Sequence, residues 1–99
     1  MSIKPLVIHP SALAEFKSSL NWYLERNQAA AGKFAAAVDQ AIEAVIKFPS
    51  RWPQGENGTR KIVLKRFPFA IFYRELHNTV QILAIAHGHR RPGNWKDRL

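Results

Sequence analysis

Apolar positions follow two different rhythms along this chain. Between Pro10 and Phe48 they return every three or four residues, and from Arg60 onward they alternate or cluster in short β-branched and aromatic runs. The first rhythm predicts helices and the second strands. Leu13, Phe16, Leu20 and Leu24 stand at i, i+3, i+7 and i+11, so a helix is predicted over Pro10–Arg26 with that stripe facing inward. Pro10 suits its first position, because proline lacks an N–H and its φ is preset near the helical value. Trp22 falls off the stripe, and its packing beneath a neighbouring element is favoured over an exposed aromatic awaiting a partner. After Asn27 a second, alanine-rich helix is predicted over Ala29–Phe48, with Phe34, Val38, Ala41, Val45 and Phe48 as its apolar stripe. Its alanines permit close approach to the first helix, and the short connection implies an antiparallel helical hairpin. Pro49 stops it by disfavouring helical geometry at Phe48.

Four strands complete the pattern. Ile3–Ile8 is short and β-branched; three further runs are predicted at Arg60–Arg66, Phe69–Leu76 and Thr79–His87. Phe67-Pro68 and His77-Asn78 sit between them as bends, with Asn78 able to take a positive φ. The segment 49–59, PSRWPQGENGT, carries two prolines and two glycines and reads as loop. The order β-α-α-β-β-β predicts a single α+β domain, a small, mainly antiparallel sheet with a helical hairpin on one face. Strict alternation puts Phe69, Ile71 and Tyr73 on one face and Ala70, Phe72, Arg74 and Leu76 on the other. It likewise sets Val80, Ile82, Ala84 and Ala86 against Gln81, Leu83, Ile85 and His87. Both faces are then largely apolar, whereas two helices cover only one. The second face is expected to be a partner surface unless a loop and tail cover it.

The chain has 99 residues, no cysteine and a formal net charge of +8. That length holds one core, and the absence of cysteine excludes disulfides and thiolate chemistry. No apolar run approaches the roughly 18 residues of a membrane span and no signal peptide is visible, so a cytoplasmic protein that does not engage membranes is expected. The positive balance points to an anionic partner, either nucleic acid or an acidic protein segment. Its cations crowd both ends of the strand region: Arg60, Lys61, Lys65 and Arg66, then His87, His89, Arg90 and Arg91. Most are accounted for as a solvated rim. Arg74 stands apart, since an arginine between Phe72 and Leu76 must bury its stem and find an acceptor. A salt bridge to a helix carboxylate and a functional contact both answer that need. No phosphate loop or nucleophile elbow is present, and His9, His77, His87 and His89 lack the carboxylate company of a metal set; no cofactor or metal is expected. RNA cleavage by 2′-OH attack needs a base, an acid and a cation over the developing charge. His87 or His89 could supply the acid and Arg74 or Arg90 the cation of such a set, in which a base is the least obvious member.

Taken together, several stretches resemble the RelE/ParE toxin superfamily. They are Pro10, Ala12 and Phe16 at the first helix, Asn27 to Phe34 with Ala30 and Ala31, Phe48-Pro49, Ile71 to Arg74, and Val80 to Trp95 with its His-Gly-x-Arg ending. The resemblance spans essentially the whole chain. It implies a toxin of a bacterial type II toxin–antitoxin pair, neutralised by a cognate antitoxin, with operator DNA engaged only through that antitoxin. The residues it marks for antitoxin or target binding are Arg60, Lys61, Lys65, Arg66, Phe72, Arg74, Leu83, Ile85, His87, Arg90, Arg91 and Trp95. One branch of the superfamily cuts messenger RNA, usually on the ribosome; the ParE branch blocks DNA gyrase and is not a nuclease. Lys61 keeps one basic position of the nuclease branch, but Val63 and Ala70 occupy two others, and Trp95 stands near the place of a frequent tyrosine. The ParE-like reading is therefore favoured. A ribosome-dependent endoribonuclease is the alternative that His87 keeps open, and a non-toxic nucleic-acid-binding module is the third.

Overall fold

A computed structural model of the chain describes residues 5–87 and 96–99. Its elements run in the expected order: β1 (Leu6–Ile8), α1 (Pro10–Arg26), α2 (Gln28–Lys47), β2 (Arg60–Val63), β3 (Phe69–Leu76) and β4 (Thr79–His87). The strands form one mixed sheet in the order β1-β4-β3-β2, with β1 parallel to β4 and the other pairs antiparallel. Both helices pack on one face of it.

The local reasons are short-range. His9 caps α1, its Nδ1 accepting from the Ser11 N–H at 3.0 Å, and Pro10 follows at the first helical position. A single extended residue, Asn27, ends α1 and starts α2; its Oδ1 accepts from the Ala30 N–H at 3.1 Å. α2 stops at Phe48, before Pro49. The β3–β4 turn places His77 and Asn78 at φ 52° and 59°, the two left-handed residues of a type I′ hairpin. The 49–59 loop closes through a one-turn 3-10 helix at Glu56–Gly58, where Asn57 and Gly58 take φ 59° and 71°.

The core joins α2 to the sheet. Phe34 and Val45 are fully buried with Ile71, Tyr73, Val80 and Ile82. Phe34 stacks on Phe16 at 5.8 Å and meets Tyr23 and Phe69 at 5.1 and 5.0 Å between ring centroids. Here α1 departs from its predicted stripe. Ala12 is buried, with Phe16, Leu20 and Tyr23 packed on the core, whereas Leu13 and Leu24 are exposed. The inward line is therefore Ala12–Phe16–Tyr23, rotated from the leucine line, because three aromatic rings fill the space against the sheet. Trp22 is also exposed, at 51%, so the expectation that it packs beneath a neighbour does not hold. Arg26 lies over its ring at 3.9 Å instead. Phe48, predicted as the end of the α2 stripe, is exposed with the Arg51 guanidinium 4.4 Å over its ring.

The sheet departs from strict alternation at one place. Phe72 pairs with Ala84 but Tyr73 with Ile82, so Leu83 is an extra residue in β4. A bulge of this kind re-aims everything beyond it. Ile85 and His87 consequently join Val80 and Ile82 on the helix side, where Ile85 enters the main core. Leu83 and Ala84 lie on the opposite side against Phe72. That opposite face is not the open platform the sequence suggests, since Leu83, Ala84 and Ala86 are all buried.

Candidate functional site

Two sites compete for attention: the outer face around Arg74, and the rim where β2 approaches α2. On the outer face Arg74 sits opposite Gln81, and its Nε donates to Gln81 Oε1 at 2.8 Å. Its Nη2 donates to the Leu99 main-chain oxygen at 2.9 Å. The acceptors this strand-interior arginine requires are thus a cross-strand amide and the C-terminal segment, and neither is the helix carboxylate considered from sequence.

The same segment is fastened at a second point. Arg98 donates through Nη1 and Nη2 to Glu15 Oε1 and Oε2 on α1, both at 2.9 Å, and through Nη1 to the Leu83 carbonyl, also at 2.9 Å. Glu15 Oε1 in turn accepts from the Ile85 N–H at 3.1 Å. The hydrogen bond to Glu15 pushes the Arg98 pKa up against the opposing effect of burial, so the guanidinium stays charged. β1 pairs with Val80–Ile82 only, and among the described residues the Glu15–Arg98 pair supplies partners for the Leu83 carbonyl and the Ile85 N–H just beyond it.

The other named residues separate. Arg60 is half-buried and donates to the Trp52 carbonyl at 2.6 Å, tying the 49–59 loop to β2. Tyr73, fully buried beneath that loop, donates to the Pro49 carbonyl at 2.6 Å, and burial pushes its pKa up to about 12. Lys61 is exposed on β2, opposite Phe72, and Phe72 is half-buried on Leu83 and Ala84. Leu83 and Ile85 are 1% and 3% exposed and present no side-chain surface to a partner in this state. His87 faces the helices, its ring 5.4 Å from Phe69, in a cleft of about 590 Å³ shared with Ser18, Ser19, Trp22 and Tyr23. His89, Arg90, Arg91 and Trp95 lie outside the described residues.

Lys61, Arg74 and His87 therefore do not converge. Arg74 pairs with Gln81 on the outer face, and His87 pairs with Phe69 five residues away along β3, on the helix face. At roughly 3.3 Å per residue that is about 17 Å, too far for an acid and a cation to act on one phosphate. Among the described residues no group of three or more His, Asp or Glu is placed to hold a metal ion, and no helix is long and apolar enough to cross a membrane.

The rim is the better-formed concavity. An open trough of about 790 Å³ lies between α2 and the β2 end of the sheet. Ala36, Ala37 and Ala44 line its helix side and Ile62 and Val63 its sheet side. Lys33, Arg51, Lys65 and Arg66 surround it, and no lining residue is acidic. Lys65 and Arg66 were legible in the sequence as part of the basic cluster. Lys33 and Arg51 were not singled out, although Lys33, Ala36, Ala37, Gln40 and Ala44 do share a helical spacing alongside the core stripe. Some of the alanines expected to seat α1 thus face this trough instead. Glu15 and Arg98 were missed as well. The one available signal was a carboxylate three residues after Ala12, flanking the buried line of α1.

No curated protein matches the chain in sequence. In three dimensions it is similar to a chain of the chromosomal ParDE toxin–antitoxin system from P. aeruginosa, at 20% identity and a TM-score of 0.75, over 86% of this chain and 96% of that one. The sequence model for the ParE toxin of the type II toxin–antitoxin system parDE matches residues 6–92. With the β-α-α-β-β-β fold and nearly the full length accounted for, the chain belongs to the ParE toxin family of type II toxin–antitoxin systems.

Proposed function

We propose that this chain is a cytoplasmic toxin that acts on DNA gyrase and is held inactive by a cognate antitoxin, through which alone it engages operator DNA. The observation that carries the reading, beside family membership, is that among the described residues the candidate nuclease groups Arg74 and His87 lie on opposite faces of the sheet. The guanidinium of Arg74 is engaged by Gln81 and Leu99, and His87 faces the other side of the sheet. The Tyr73 hydroxyl is buried with a pKa near 12, which disqualifies it as a base at neutral pH. A toxin acting by contact asks for none of these. It asks for a rigid fold with a charged, concave surface, and the trough beside α2 supplies one.

The test is a supercoiling assay with purified gyrase and relaxed plasmid. The expected result is inhibition at near-stoichiometric toxin, relieved by the antitoxin. Full supercoiling in the presence of excess chain that still arrests growth when expressed would overturn the reading. Codon-linked messenger ends mapped during that arrest would point instead to the ribosome-dependent endoribonuclease.

A further inference from the structure

The cleft that holds His87 lies between the second half of α1 and the end of the sheet where Phe69 of β3 pairs with His87 of β4. On the helix Ser18, Ser19, Trp22 and Tyr23 stand at i, i+1, i+4 and i+5, which is one face. Pro68, Phe69 and His87 line the other side. Earlier in α1, Phe16 reaches the core and stacks on Phe34 at 5.8 Å. The serine side chains that follow are too short to do the same, and the space between helix and sheet stays open beside them.

The walls of this cleft are aromatic and its edges polar. Trp22 is 51% exposed, a large indole left without a covering element. Its ring meets Tyr23 edge-to-face at 5.1 Å, and Phe69 meets the His87 ring in the same way at 5.4 Å. One turn further along the helix, the Arg26 guanidinium lies 3.9 Å over the Trp22 ring, with its Nη1 donating to the Trp22 carbonyl at 2.9 Å. The Arg26 ion pair with Glu25 spans 3.8 Å between side chains that are more than half exposed, so it is weak. The Ser18 and Ser19 hydroxyls can each donate and accept. Among the described residues that line the cleft there is no carboxylate.

A ligand that meets all of these groups has flat faces, donors and acceptors around its rim, and an anion beside the ring. We propose that the cleft binds a single unpaired nucleotide, with its base against Trp22 and its phosphate on Arg26. Stacking on an aromatic face accepts any base. The serine hydroxyls favour a polar ring edge, which a hydrocarbon ring does not offer. A volume of about 590 Å³ lies in the range of small-molecule sites. A base within a duplex has its faces covered by its neighbours, so the ligand is a free nucleotide or one nucleotide of a single strand. The net charge of +8 favours both over a neutral ring. No bond is made or broken in the cleft. Binding there is independent of the gyrase reading and of the trough beside α2.

The test titrates the full chain with AMP and follows its amide and indole N–H signals by heteronuclear NMR. Saturable shifts are expected at Ser18, Ser19, Trp22 and His87, with Lys33 and Ala36 unmoved. Trp22→Ala is expected to weaken AMP at least tenfold, in keeping with the loss of a stacked base. Ser18→Leu is expected to do the same by narrowing the cleft. Arg26→Gln should weaken AMP at least fivefold and adenosine less than twofold, because only the phosphate meets the guanidinium. All three positions are exposed, so melting temperatures should change little. A ten-residue oligoadenylate separates the two sources. Binding at least tenfold tighter than AMP, with the same loss in Trp22→Ala, identifies a single strand, and anything less identifies the free nucleotide. Four results would overturn the inference: no saturable shift at the cleft, inorganic phosphate binding as tightly as AMP, a duplex shifting the cleft signals as strongly as the single strand, or AMP affinity unchanged in both Trp22→Ala and Ser18→Leu.

Discussion

Tyr73 shows how much one side chain can decide. It is fully buried, its hydroxyl donates to the Pro49 carbonyl, and Trp52 meets its ring edge-to-face at 6.4 Å. Burial disfavours the phenolate, which pushes the pKa from 10.0 up to about 12, while Arg60 pulls the other way more weakly. Because the folded value is raised, the stabilisation is whole below pH 10 and is lost as pH rises through 12. Its size is roughly 3 kcal/mol, from the rise of about two pH units. Tyr73→Phe is expected to flatten the alkaline limb of the stability profile between pH 10 and 12, measured by urea unfolding. A limb that persists in Tyr73→Phe would show that a different group carries it. Sequence alone put Tyr73 on one face with Phe69 and Ile71, all three of which join the main core, but gave no partner for its hydroxyl. A contact to a carbonyl 24 residues earlier leaves no local trace.

Elements were legible wherever a local rule governs them. α1, β3 and β4 occupy the predicted spans residue for residue, because Pro10, Asn27 and the His77-Asn78 turn mark their ends chemically. β2 ends three residues earlier than predicted, at Val63, the last β-branched residue of its run. What failed was the assignment of faces. The extra residue in β4 is Leu83, not a glycine, so nothing in the sequence announces the bulge that turns Ile85 inward. The repair of that bulge is also non-local, joining Glu15 of α1 to Arg98 near the C-terminus across 83 residues. Both side chains are about one-sixth exposed, so their ion pair is partly shielded from solvent. Arg98→Ala is expected to cost about 2 kcal/mol, because it leaves the Glu15 carboxylate and the Leu83 carbonyl short of a donor. Glu15→Gln keeps an oxygen for the Ile85 N–H and is expected to cost less. A double-mutant cycle by chemical denaturation measures the pair directly. A coupling below about 0.5 kcal/mol would mean the bulge edge is satisfied by water, and that the C-terminal segment contributes little to the fold.

At the scale of the whole molecule, charge and shape divide the work of recognition. A net charge of +8 on 99 residues steers an acidic partner from a distance, and it does so without regard to which cations finally touch it. The apolar lining of the trough, if the partner docks there, acts only on contact. The two contributions therefore separate kinetically. Raising salt from 0.1 to 1 M shortens the screening length from about 10 to about 3 Å, which removes steering but hardly alters contacts already made. The association rate of the antitoxin is expected to fall at least tenfold over that range, with the dissociation rate changing less than threefold, as read by stopped-flow fluorescence of Trp52 and Trp22. Lys33→Ala, Arg51→Ala or Lys65→Ala should each reduce the salt dependence of association slightly, since each removes one of many steering charges. Ala36→Phe should leave that dependence alone and raise the dissociation rate. The opposite partition, with dissociation carrying the salt dependence, would mean that ion pairs rather than buried side chains hold the complex together, and the alanine-lined floor would then have no part in retaining the partner.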